Sequence, residues 1–124
     1  MPTDHRSPPI RDLDELRDRL RAFVAERDWD QFHSPKNLAT ALIAEAAELV
    51  EHFQWLTEPE SHRLPPDKKQ EVADELADVL VYLVRIADKL DIDLFAAVAD
   101  KLERNAAKYP AAKVRGSAKK YAEY

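Results

Sequence analysis

Four carboxylates in the middle of this chain have a spacing and a setting that suit metal chemistry. Glu45 and Glu48 lie in LATALIAEAAELVEHFQW, and Glu75 and Asp78 lie in KKQEVADELADVLVYL. Each pair is three residues apart within an apolar, strongly helical run, so each projects from one helix face. The positions three and four residues from Glu45 are Ala41, Leu42, Glu48 and Leu49, and those from Asp78 are Asp74, Glu75, Val81 and Tyr82. None is a Lys or Arg. If the two helices pack face to face, carboxylates meet within roughly 6 Å and repel by about 3 kcal/mol per pair at an effective dielectric near 20. A cation between them removes that cost. A solvated acidic face normally interleaves basic residues, as DELRDRLRAFVAERD does earlier in the chain, whereas Glu45 and Glu48 are surrounded by Ala, Leu, Ile and Val. An unpaired charge in such surroundings is expensive.

The available ligand atoms select the ion. There is no Cys, and His5, His33, His52 and His62 fall at no zinc-like spacing. Oxygen ligands alone favour a hard cation, Mg²⁺ with Mn²⁺ as a substitute. A di-iron bundle requires Glu-x-x-His pairs, and no His here lies three residues after a Glu.

Other polar residues extend the pattern. Glu71, Glu75, Asp78 and Tyr82 share a stripe of one helix. The Tyr82 hydroxyl there either reaches a phosphate oxygen or belongs to a core aromatic, and Glu71 either supports the metal ligands or is plain surface. Lys101, Asn105 and Lys108 line another helix face with Arg104 nearby, which suits a polyphosphate and equally a cationic helix C-terminus. Trp29, Phe32, His33, Phe53 and Trp55 cluster before and after one helical run, as base-stacking groups or as core. The one glycine, Gly116, excludes both a P-loop and a Rossmann fingerprint.

These groups must be positioned by helices, because no stretch alternates as a strand. The first helix is predicted from about Asp12 to Asp28. Ser34 as N-cap and Pro35 at the first helical position open a second, running to about Trp55. Thr57 to Pro66 reads as a loop, a third helix spans about Asp67 to Leu90, and Asp91 or Asp93 caps a fourth that ends near Lys108. The second and third are apolar almost all round apart from their acidic stripes. Such helices need neighbours on more than one side, so a homo-oligomer with a shared helical core is expected.

With 124 residues the natural count is one domain. Residues 1–11 read as a flexible N-terminus, 12–108 as the helical domain, and 109–124 as a tail that is packed on a partner subunit or disordered. The composition, 45% hydrophobic and 35% charged, is that of a globular, helix-rich protein. A net charge of −5 argues against a broad nucleic-acid surface. The absence of Cys fits a reducing compartment, and neither a signal peptide nor a run of about 18 apolar residues occurs. A cytoplasmic protein without membrane partners is expected.

The pattern Glu45-x-x-Glu48, a gap of 26 residues, then Glu75-x-x-Asp78 resembles the signature of the all-α MazG-like nucleoside triphosphate pyrophosphohydrolases. RDWDQFHSPKNLATALIAEAAELVEHFQW and ELADVLVYL are similar to the dCTP pyrophosphatase branch, and the likeness runs from about Leu13 to Tyr121, including KYP at Lys108 to Pro110. The resemblance implies a four-helix MazG-like bundle with Mg²⁺ held by Glu45, Glu48, Glu75 and Asp78. It implies hydrolysis of a (deoxy)nucleoside triphosphate, dCTP or a modified dCTP first, to the monophosphate and pyrophosphate, with Glu45 or Glu48 activating water. Trp29 and Trp55 would flank the base with His33 and Asn37 nearby, and Tyr82, Lys101 and Asn105 would meet sugar or phosphates. Members of this branch are typically tetramers built as pairs of dimers. Where vertebrate members carry a His near the base, this chain aligns Leu20, which leaves dUTP or a broader specificity open. The rival from another class is a non-catalytic helical oligomer that binds nucleotide or a protein partner.

Overall fold

In the computed structural model, which describes residues 7–118, all regular elements of the described residues are helical. The expectations for residues 1–6 and 119–124 lie outside the described residues. The described chain divides into two compact units between Asp91 and Ile92, and each is taken by itself.

In the first unit, α1 spans Leu13–Glu26 and begins where the Asp12 carboxylate accepts the Glu15 backbone N–H at 2.8 Å. It ends where Asp28 turns into the left-handed region at φ 53°, a conformation that Asp tolerates better than most residues. A single 3₁₀ turn, Asp30–Phe32, leads into α2, Pro35–Glu51. Ser34 is the N-cap of α2, its hydroxyl accepting from Asn37 N at 3.1 Å, with Pro35 in the first turn. A cap of this type contributes about 1 kcal/mol. The expectation that this helix continues to Trp55 fails: residues 52–55 run as turns, with Phe53 N bonding Val50 O at 2.9 Å. The expected loop also contains a short helix, α3, Glu58–Ser61. Thr57 and Glu60 close it in a reciprocal capping box, a spacing the sequence displays. The long helix α4, Pro66–Lys89, starts with a proline in its first turn, where no N–H is missed.

α2 packs most extensively along α4, and α1 packs against α4 as well. Leu38, Val24, Val72, Val84 and Ala87 are buried there. Burial of a Leu side chain such as Leu38 contributes about 1.5–3 kcal/mol. One charged residue joins this core. Arg85 is only 3% exposed and donates to Asp30 at 3.1 Å and to Asp88 at 3.3 Å. Arg21 of α1 also donates to Asp88, and Lys89 to Asp30. Asp88 is held below the usual carboxylate range by its hydrogen bond to Arg21, and Asp30 by those to Lys89 and Arg85. The network pins both α1 and the 3₁₀ turn to α4.

In the second unit, the Asp93 carboxylate caps α5, Leu94–Lys108, by accepting from Ala96 N at 3.0 Å. Of the two caps expected, Asp93 is the one used. The tail contributes one further short helix, α6, Ala111–Val114. Among the described residues, no helix is long and apolar enough to cross a membrane.

Candidate functional site

Because α2 and α4 lie along one another, the faces carrying Glu45, Glu48 and Glu75 meet. Carboxylate oxygens of these three residues lie within 4.8 Å of one another. Among the described residues, no Lys or Arg forms an ion pair with any of them or with Asp78. Oε2 of Glu45 and Oε2 of Glu75 are both buried and lack a hydrogen-bond partner. A buried acceptor without a donor is costly, and a proton or a metal ion is what it lacks.

The protonation behaviour agrees. Glu45 is pushed up to about 7, first by the facing carboxyl of Glu75, then by burial and by Glu48 and Asp78. At Glu75 the contact with Glu45 favours ionisation, but burial and the charges of Glu48 and Asp78 outweigh it, and the net shift is upward. The pair holds a proton where isolated carboxyls have none. Three close carboxylates, two of them with a buried oxygen that lacks a partner, fit a divalent cation.

Asp78, expected as the fourth ligand, stands beside this trio rather than within it. It is exposed, yet its charge raises Glu45, Glu75 and Tyr82. Tyr82 is half-buried one turn further along α4, and burial first, then Glu45 and Asp78, keeps its hydroxyl protonated. It is a donor at neutral pH.

The residues expected around the base divide. Trp29 and His33 flank the 3₁₀ turn. Trp29 packs edge-on to Phe23, ring centroids 5.8 Å apart. His33 is half-buried with Nδ1 lacking a partner, and burial followed by the Arg85 charge lowers its pKa. Asn37 has its amide nitrogen committed to Phe32 O at 3.0 Å, so it braces this turn. Trp55 is 86% exposed and lies past the end of α2. Lys101 and Asn105 are on α5 in the second unit, Lys101 exposed and Asn105 half-buried. Nearby Arg104 pairs with Asp100 at 3.2 Å, and Lys108 lies over the Tyr109 ring.

Two features are not visible in the sequence pattern. The Arg85 network depends on a partner 55 residues away, which no local spacing reveals. His52 has Nε2 3.9 Å from Glu75 Oε1. The one signal for it is the spacing of four from Glu48, which places both on one helix face. Glu71 resolves as a partner of Lys68, at 3.0 Å.

A family model described as MazG-like matches residues 41–124. The chain is 44% identical to mouse dCTP pyrophosphatase 1 over 120 residues, covering 95% of this chain and 71% of that protein. It is 44% identical to the human dCTP pyrophosphatase 1 over 113 residues, covering 90% and 66%. A crystal structure of a pyrophosphatase from Archaeoglobus fulgidus is similar at 40% identity and a TM-score of 0.76, covering 85% of this chain and 98% of that one.

Proposed function

The chain belongs to the MazG-like family, and from that premise we propose that it is a Mg²⁺-dependent nucleoside triphosphate pyrophosphohydrolase whose leading substrate is dCTP or a modified dCTP. The observation that carries this reading is the trio of close carboxylates with orphaned buried oxygens. The names of the mammalian relatives supply the base. The reaction breaks the bond between the α-phosphorus and the oxygen bridging to the β-phosphate, adds water at the α-phosphorus, and leaves monophosphate and pyrophosphate.

Glu45, Glu48 and Glu75, with Asp78 beside them, would hold the metal. Bound Mg²⁺ supplies charge neutralisation for the triphosphate and a lower pKa for a water molecule. Glu45 or Glu48 orients or deprotonates the attacking water in this reading, and the Tyr82 hydroxyl donates to a phosphate oxygen. The ring of Trp29 offers a face to the base, with His33 beside it; Asn37 fixes the turn that carries them. Trp55, Lys101 and Asn105 come forward on the family likeness alone, the first to the base and the others to sugar or phosphate.

The exposed apolar residues Ile43 and Val50 on α2 and Leu76, Leu80 and Leu83 on α4 support assembly into a homo-oligomer, because faces of that kind are usually covered; a tetramer of paired dimers comes forward on the family likeness alone. A cytoplasmic location completes the proposal, on the acidic, cysteine-free composition. The test is Mg²⁺-dependent production of monophosphate and pyrophosphate in equal amounts from dCTP. Release of inorganic phosphate instead would contradict it.

A further inference from the structure

One histidine faces the carboxylate cluster from outside the proposed ligand set. His52 follows the last turn of α2, on the same face as Glu48, and its side chain is 17% exposed. Its Nδ1 lies 3.3 Å from Lys68 Nζ and 3.7 Å from Glu71 Oε2, and its Nε2 lies 3.9 Å from Glu75 Oε1. Lys68 is itself held at 3.0 Å by Glu71. An ammonium group only donates, so the ring nitrogen beside it must accept. In the neutral imidazole the proton then sits on Nε2, the nitrogen that faces Glu75.

We propose that His52 is a positioning residue for Glu75: Lys68 fixes its tautomer, and Nε2–H engages Oε1 of Glu75 so that Oε2 is presented to the metal. The two oxygens of Glu75 already differ in this sense, since Oε1 faces His52 while Oε2 is buried without any partner. A separation of 3.9 Å is looser than a hydrogen bond, and contacts of this kind tighten when the ligand arrives. Partners that orient a metal ligand in this way typically change metal affinity by about 10- to 100-fold when removed. The inference rests on the metal site proposed above.

The test is a Mg²⁺ titration without nucleotide, followed by calorimetry at pH 8. It compares the unaltered protein with His52→Gln and His52→Asn. The Gln amide nitrogen reproduces the position of Nε2, and that of Asn the position of Nδ1. Both variants stay polar and close in size, so a general packing effect would move them together. The expected result is affinity near that of the unaltered protein for His52→Gln and about tenfold weaker for His52→Asn. Equal affinities in the two variants, whether both weakened or both unchanged, would overturn the positioning role while leaving the metal site standing. Failure of the unaltered protein to bind Mg²⁺ would overturn the site and this inference together.

Discussion

Glu45 holds its proton to about 7 instead of the ordinary 4.5 in the metal-free protein. Between those values the folded chain binds more protons than the unfolded one. The contribution of this group to stability is therefore complete below about pH 4.5 and is lost as the pH rises through about 7. A divalent cation must displace the same proton. Stabilisation by millimolar Mg²⁺ in thermal unfolding is accordingly expected to grow from pH 6 to pH 8. Glu45→Gln should raise the metal-free melting temperature at pH 8 by a few degrees and abolish the response to Mg²⁺. Alanine at Glu48 should lower turnover by about a thousandfold or more with the helical circular dichroism unchanged. The same loss at Asp78→Ala would make it a ligand despite its place beside the trio, and full activity would remove it from the set. The carboxylates are legible in the sequence because an apolar helix face that carries two acids three residues apart, with no base in reach, needs a cation, and the chain repeats that arrangement. His52 is not legible, since its partners Lys68 and Glu75 lie on the other helix.

Among the elements, the position of the groups proposed to face the nucleotide depends on how the 3₁₀ turn is fastened. Asn37 braces it from α2 by bonding Phe32 O, and Arg85 and Lys89 fasten Asp30 from α4. Arg85→Met removes the buried guanidinium between two aspartates and should lower stability only moderately, because Arg21 still pairs Asp88 and Lys89 still pairs the exposed Asp30. Because the turn carries Trp29 and His33, the KM for dCTP should rise in this variant more than kcat falls. Steady-state kinetics at a temperature well below its unfolding midpoint checks this. Helix starts are readable from chemistry at their ends, as Ser34 with Pro35 and Asp93 illustrate. The end of α2 is not, because EHFQW continues an apolar helical pattern without a Gly or Pro, and the chain leaves the helix at Glu51 all the same. The short helix at Glu58 is masked by Pro59, Pro65 and Pro66, which favour a loop, although the capping box between Thr57 and Glu60 marks its start.

For the whole molecule, the exposed apolar stripes of α2 and α4 and the acidic cluster make separate demands, one for a covering surface and one for a cation. Replacing Leu76 and Leu80, both more than 40% exposed, by Asp should break the proposed homo-oligomer. Light scattering coupled to gel filtration should then report a smaller species, whereas an unchanged mass would move the interface elsewhere. The all-α class and the helical segments can be read from periodicity, but the apolar all-round helices only imply a partner, since burial between copies leaves the same pattern as burial within one. The chemistry at the carboxylate trio is tested by pyrophosphate release from dCTP, 5-methyl-dCTP, dUTP, dTTP, dATP, dGTP and CTP, with Mg²⁺ and with EDTA. Metal-dependent release of pyrophosphate and monophosphate, greatest with dCTP or 5-methyl-dCTP and abolished by EDTA, is the predicted result. Absence of release from every nucleotide, or release that persists in EDTA, would contradict it.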